Sequence, residues 1–418
     1  MIMDQYLERL KKGTLKLHAL EKEVPAPEAI RIRRAFIEQE AGVQLPKIGS
    51  FTMDPSVAVT RNIENMVGAV QVPVGVAGPL KVRGEHAGGE FYVPLATTEG
   101  ALVASVNRGC GAITRAGGAD VRILREGMTR APVFSTRDIL HSQEVKDFVD
   151  RNLDALAAAA AETTSHGKLT GAMAFVTGTT VHVRLEFDTK DAMGMNMVTI
   201  ASERISGLIE EKTGAHLVAL SGNLCTDKKP AAVNGILGRG KTVVAGVFLP
   251  DGLVSEVFKT GAETLAEVNY RKNLLGSARA GSLGFNAQAA NIIAALFIAC
   301  GQDAAHVVEG SGAFTTAERR EGGAYVAVTI PALQLGTVGG GTGLDTQREC
   351  LSLLGVAGGG TPPGAHARKF AEIAAAAVLA GELSLLGALG AGHLARAHRA
   401  LGRGNPKGDL DPPGERET

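Results

Sequence analysis

The chain of 418 residues carries 43 Lys and Arg against 43 Asp and Glu, no Trp and only 4% aromatic residues. That length is enough for two or three domains, while zero net charge and so few aromatic rings leave little to attract or stack nucleic acid. The cysteines Cys110, Cys225, Cys300 and Cys350 lack the paired spacing of zinc or redox motifs and read as free thiols of a reducing cytoplasm. Residues 1–12 are too polar for a signal peptide, and the apolar run 292–300 is shorter than the ~20 residues a span needs, so no membrane segment is expected.

Residues 1–67 read as a small helical domain, in which Pro25 and Pro27 open a helix that Gly42 ends. Strands follow at 70–80, around a Gly/Pro turn, and at 90–94. Thr97 and Thr98 then cap a helix through Ala101, Leu102, Val103 and Ser105, with Glu99 in its first turn and a break at Gly109 and Gly111. From 132 to 220 the pattern is strand 132–134, helix 142–163, strands 172–178 and 180–187, helix 194–212 and strand 215–220. That is the β-α-β-β-α-β order of a ferredoxin-like unit. It reads as an insertion, 131–220, in a larger α/β domain made of 68–130 and 221–404, with further strands at 243–248 and 324–330 and helices at 286–300 and 371–401. Gly381, Gly387, Gly390 and Gly392 on the last helix imply close approach by neighbouring backbone, and the tail 405–418 is expected to be mobile. The predicted class is α+β.

Where the insertion returns, Ser221-Gly222-Asn223-Leu224-Cys225-Thr226-Asp227-Lys228-Lys229-Pro230 sets three consecutive charges between 216–220, which reads as a buried strand, and the small apolar Ala231-Ala232-Val233. A lysine held there is costly without a partner or a task; a solvated turn is the simpler reading of Lys-Lys alone. Asp191-Ala192-Met193-Gly194-Met195-Asn196-Met197 is either a Met-rich core patch with an Asp cap or a helix start whose amides suit a phosphate. Gly336-Thr337-Val338-Gly339-Gly340-Gly341-Thr342 is either a connector or backbone open to a ligand. Residues 235–242 fit the phosphate-loop pattern, but Lys241-Thr242 opens a strand rather than a helix, and no G-x-G-x-x-G occurs. Glu99, Asp303 and His398 are ordinary residues when taken singly, Cys225 has no histidine nearby in sequence to activate it, and no metal site is expected.

Taken in order, these stretches together with Glu64-Asn65-Met66-Val67-Gly68, Pro73-Val74-Gly75-Val76-Ala77-Gly78-Pro79-Leu80, Ala96-Thr97-Thr98-Glu99-Gly100, Gly301-Gln302-Asp303-Ala304-Ala305 and Ala380-Gly381-Glu382-Leu383-Ser384 resemble the 3-hydroxy-3-methylglutaryl-CoA (HMG-CoA) reductases, from about residue 60 to His398. The likeness is to the soluble form of the class shared by animals and archaea. It implies reduction of the thioester to mevalonate and free CoA, in isoprenoid biosynthesis, with two hydrides from NADPH or, less in keeping with the family, NADH.

By the same resemblance Lys228 stabilises the thioester oxyanion, Glu99 supplies a proton, Asp303 links the two in one network, and His398 protonates the leaving CoA thiolate, with His393 structural. A carboxyl kept protonated near neutral pH requires Glu99 to be buried. Arg130, Ser221, Asn223, Asp227, Lys229 and Asn291 are expected on the hydroxymethylglutaryl end, and Asn107, Arg108 and Lys272 on CoA. Asp191, Met193, Gly194, Met195 and Asn196, with Gly336, Thr337, Val338, Gly339 and Gly340, are expected on the cofactor. The family's site lies between subunits, which implies a homodimer or homotetramer.

The chain departs from the animal pattern at Ala69, Gln288, Thr179 and Gly404, where tyrosine, histidine, arginine and a phosphorylated serine stand. Thr179 leaves NADPH preference open, with Arg184 or Arg204 as substitutes, and Gly404 implies no phosphorylation control. A Cys225-dependent acyltransferase and a non-enzymatic binding module are the competing readings.

Overall fold

The computed structural model describes residues 2–392, so His393, His398, Gly404 and the tail lie outside the described residues. Ten strands are present: β1 Val74–Arg83, β2 Gly88–Ala96, β3 Ala119–Arg130, β4 Val133–Ser135, β5 Lys168–Thr177, β6 Thr180–Asp188, β7 His216–Ala219, β8 Gly240–Pro250, β9 Phe314–Arg320 and β10 Gly323–Leu333. They join in the order β7-β4-β6-β3-β8-β10-β9, with β5 beside β6 and the β1–β2 hairpin beside β3.

β3 connects two sheets. Asp120 to Gly127 pair with β8, while Met128, Thr129 and Arg130 pair with β6. Its charged sequence, Asp120-Val121-Arg122-Ile123-Leu124-Arg125-Glu126-Gly127, hides it from a search for apolar strands. Beyond it, β7, β4, β6 and β5 lie side by side and antiparallel throughout. With the helices between them this is the expected β-α-β-β-α-β order, except that its first helix is two, Ile139–Arg151 and Leu153–Ala161, divided at Asn152. Phe134, Val145, Leu156, Val183, Phe187, Val198 and Ile205 form its core. β7 is an edge strand with Val218 61% exposed, not the buried strand that its apolar sequence suggests.

The larger core surrounds the helix Ala365–Gly390. That helix is long and apolar enough to cross a membrane by composition, a feature the search for apolar runs overlooked, yet 83% of its most apolar window is buried inside the protein. Two of its glutamates are buried as well. Glu372 accepts from the backbone N–H groups of Glu85, His86 and Ala87, and Glu382 from those of Ala287 and Gln288 and from the Thr315 hydroxyl. Burial pushes the Glu382 carboxyl above its usual range against the pull of those donors. Asp191 does the converse for this helix, accepting from the amides of Gly360, Gly364 and Ala367 at its start.

The helix Leu102–Arg115 runs through Gly109 and Gly111 without the expected break, and it begins after Ala101 with no side-chain cap. Thr97 instead accepts from the N–H of Glu99, which precedes the helix. Gly109 is there for packing: a Cβ at that position would lie 1.9 Å from the Ala380 carbonyl oxygen on the long helix. At Gly111 a Cβ would meet nothing within 4 Å. Gly109→Ala is therefore expected to destabilise the protein by about 3 kcal/mol, and Gly111→Ala to stabilise it by about 0.5 kcal/mol. Urea unfolding of the two variants measures both, and equal effects would overturn the close-contact account.

Candidate active site

The returning loop 221–230 is tied down along its length. Gly222 N–H donates to Ala131 O, Arg184 donates to Leu224 O, the Thr129 hydroxyl to Cys225 O, and the Thr226 hydroxyl to Asn234 Oδ1. These contacts hold Asn223, Thr226 and Lys228 at φ values of 64°, 61° and 57°, left-handed conformations that non-glycine residues adopt at a cost. The backbone N–H of Lys228 donates to Glu309 Oε1 at 2.8 Å, and its ammonium meets Asp303 Oδ2 at 2.8 Å.

Behind the loop lies a charge cluster. Arg239 has no side-chain exposure and donates to Asp227 Oδ1 and Glu309 Oε1, both at 2.9 Å. Arg130, on the last turn of backbone in β3, reaches the other oxygen of Asp227 at 3.4 Å. The hydrogen bond to Asp303 raises the Lys228 ammonium above its usual value. Burial alone would raise Asp303, but the Lys228 ammonium and the Ala305 N–H outweigh it and hold that carboxyl low. The pair is thus fully ionised at neutral pH. Lys228 is nonetheless half-exposed, so the cost of burying it is smaller than its apolar neighbours imply.

Asp303 and Gln302 also form one wall of a cleft of about 630 Å³, whose other walls are Met193, Gly194, Met195, Asn196 and the glycine loop of Gly336, Val338, Gly339 and Gly340. Gly336 lets the walls meet, since a Cβ there would lie 2.4 Å from Met193 N. Asp191 and Thr337 support the cleft from behind. The Asp191 carboxylate is committed to the three amides named above, its carbonyl accepts from Thr337 N–H, and the Thr337 hydroxyl donates to Gly358 O. Ser221, Asn223 and Lys229 lie on the returning loop with Lys228; Ser221 Oγ is 3.3 Å from the buried Cys225 Sγ, and Lys229 is exposed.

The remaining expected residues form a separate group. Glu99 is exposed rather than buried, on a surface turn where Asn291 Nδ2 donates to it at 3.3 Å. Asn107 Oδ1 accepts from Gly78 N–H, Arg108 donates to Ser384 Oγ and O, and Lys272 is exposed. Among the described residues no hydrogen bond or ion pair joins Glu99 to Lys228 or to Asp303, so the single network expected of these three is absent within one chain.

Burial and pairing account for the other basic candidates. Arg184 is no candidate for a cofactor phosphate: it is 2% exposed and spends its donors on the carbonyls of Leu224 and Gly238, and burial draws its pKa down to about 10. Arg204 pairs with Glu162. Lys241 of the phosphate-loop match is buried in β8 beside Glu126 at 3.1 Å. Sequence reasoning passed over Arg239, His306 and Glu309, whose signals were a Gly-Arg-Gly before a strand and an Asp-x-x-His-x-x-Glu spacing that brings three titratable side chains together.

Comparison with known proteins identifies the family. Residues 29–403 match the family model of hydroxymethylglutaryl-coenzyme A reductase. The chain is 57% identical over 404 residues to the 3-hydroxy-3-methylglutaryl-coenzyme A reductase of Methanothermobacter thermautotrophicus, covering 96% of this chain and 100% of that one. It is 56% identical to the Pyrococcus abyssi enzyme over 96% of this chain and all of that one, and 41% identical to reductase 1 of Dictyostelium discoideum, over 96% of this chain and 73% of that one. The fold is similar to that of the class II reductase of Streptococcus pneumoniae, solved with NADPH in open conformations, with TM-score 0.65 at 19% identity over 90% of this chain and 100% of that one. By sequence along almost its whole length, the chain belongs to the hydroxymethylglutaryl-coenzyme A reductase family.

Proposed function

We propose that this HMG-CoA reductase works as a homodimer or a dimer of dimers, in which Glu99 and Asn291 of one subunit face Lys228 and Asp303 of another, with NADPH in the cleft between 192–197 and 336–340. The carrying observation is the Lys228–Asp303 pair, 2.8 Å apart, with Asp303 on the wall of that cleft, while Glu99 is exposed and bonded to neither. A cleft of about 630 Å³ is of the size small-molecule sites have. Gly339 and Gly340, at φ 80° and 54°, leave bare backbone, and the N-terminus of the helix Met195–Thr213 suits a pyrophosphate. Each cofactor molecule, when bound, would supply one hydride, so the reduction takes two in succession.

The chain's own residues handle charge and protons. As the thioester oxygen turns negative, the Lys228 ammonium stabilises it, kept charged and aimed by Asp303. Glu99, covered once a second subunit packs against it, gains the desolvated setting in which a carboxyl holds its proton. Arg130, Ser221, Asn223, Asp227 and Lys229 surround the hydroxymethylglutaryl carboxylate. Lys272 offers CoA an exposed charge, with Asn107 and Arg108 shaping the surface beside it, and His398 is assigned the CoA thiolate. No Lys or Arg is among the residues lining the cleft, so a cofactor 2′-phosphate has no basic partner on these walls. The acyltransferase reading fails on access, because Cys225 is completely buried. With the cysteines unpaired, we place the enzyme in the cytoplasm.

Oxidation of NADPH, and separately of NADH, on adding HMG-CoA tests the activity; no thioester-dependent oxidation of either would sink it. Lys228→Ala is expected to lower kcat at least about a hundredfold. Glu99→Gln and Lys228→Ala chains, each inactive alone, are expected to recover about one quarter of wild-type rate when refolded together, since half the dimers are mixed and one of their two sites is intact. A site contained in one chain recovers nothing. Because Asp303 is held low, its pair with Lys228 is complete at neutral pH and is lost as pH falls through the depressed pKa. Lys228→Met is expected to raise the Asp303 pKa, which carboxyl-carbon NMR reads directly.

A further inference from the structure

Residues 303–310 pass through a 3-10 turn, Ala304–His306, and a single α turn, Val307–Gly310, so Asp303, His306 and Glu309 come round to one side. His306 is 1% exposed. Its Nδ1 is 3.3 Å from Glu309 Oε2 and 3.4 Å from Arg239 Nη1, and its Nε2, with no hydrogen-bond partner, is 3.8 Å from Asp303 Oδ2. These two carboxylates are the ones that hold Lys228, one at its ammonium and the other at its backbone N–H. Asp227, His306 and Glu309 lie close enough to suggest a metal site, but Arg239 donates to both carboxylates, so a guanidinium already fills the place of a cation.

We propose that His306 is a positioning residue of the reductase reaction, standing between Asp303 and Glu309 and fixing the two carboxylates that set the ammonium and the backbone of Lys228. The inference rests on the reading of Lys228 as the group that stabilises the oxyanion. A neutral imidazole has one N–H. Placed on Nδ1 it serves Glu309 and leaves a lone pair on Nε2 facing the Asp303 carboxylate. A second proton turns that contact into an attraction, and the ring then draws both carboxylates inward. The charged groups around it are Asp303, Glu309 and Asp227 on one side of the balance and Lys228, Arg239 and Arg130 on the other. Arg239 alone touches the ring as a cation and opposes the second proton; two carboxylates favour it. With three charges of each sign, a proton on His306 adds one positive charge behind the lysine, where the thioester oxygen becomes negative. In that doubly protonated form the ring bridges both carboxylates.

The test compares His306→Gln and His306→Asn with the wild type in kcat and KM for HMG-CoA over about pH 5–9, with thermal unfolding and histidine ring nitrogen NMR on the same proteins. In H306Q, KM is expected to stay within about twofold while kcat falls about tenfold, with unfolding unchanged. The limb on which the wild type loses rate as pH rises is expected to disappear. A wild-type rate and profile in H306Q, or a lower rate with that limb intact, overturns the proposal. So does a ring that keeps a single proton throughout, a result that stands even if only the Asn variant folds and supplies the assignment. A wild type without reductase activity sinks the parent reading instead, and the ring nitrogen NMR then still decides the state of His306.

Discussion

A guanidinium with no access to water, Arg239, is the interaction on which the site depends. Taking a charge out of water costs several kcal/mol, roughly, and the cost is recovered only with good geometry and satisfied donors. Arg239 meets those terms by spanning Asp227 and Glu309, the first on the returning loop and the second two turns beyond Asp303. It therefore sets the spacing between two segments far apart in sequence, and the Lys228–Asp303 pair forms across the same gap. A change at Arg239 would strand two carboxylates and release the lysine together.

The same principle, a buried charge used to hold backbone, recurs around the long helix Ala365–Gly390. Glu372 secures the turn between β1 and β2, and Glu382 secures the segment that enters the helix Ala289–Ala299, on which Asn291 sits. Asp191 secures the start of the long helix and, through its carbonyl, the glycine loop of the cleft. A core helix of this composition could have been wholly apolar. Instead its carboxylates satisfy amides of loops that would otherwise be buried without partners, and one of those loops leads into the helix that carries Asn291.

Segments with functional residues were the easiest to read in the sequence. The returning loop, the helix start at 191–197 and the glycine loop at 336–342 each break the apolar pattern with glycine or charge, and each lies at the cleft or beside it. The β-α-β-β-α-β order was legible because its strands are apolar and its turns polar. What escaped was set by partners distant in sequence. Gly109 resembles a helix breaker until Ala380 is known to lie against it, and β3 reads as charged surface until β8 and β6 are placed on it. The chemistry assigned to Glu99 requires burial, yet among the described residues only a contact from Asn291 reaches its side chain and it is exposed. His306 follows directly after Gly301-Gln302-Asp303-Ala304-Ala305, one of the stretches that carry the family likeness, and Glu309 comes three residues later, so that stretch ends just short of the cluster that holds its own lysine.

The loop's backbone carries the argument one step further. Asn223, Thr226 and Lys228 each hold a left-handed conformation that costs on the order of 1 kcal/mol for such residues. Three such residues within six positions persist only because Thr129, Arg184, Asn234 and Glu309 bond the loop from four directions. The consequence falls on Lys228, whose backbone is fixed before substrate arrives. In the role proposed for Lys228, an ammonium on a fixed backbone, already paired with Asp303, would not have to reorganise as charge develops beside it, and that is the condition under which an electrostatic group contributes most to a transition state. Strain in the loop and buried charge behind it are thus parts of one device, and the cost of both is met when the protein folds.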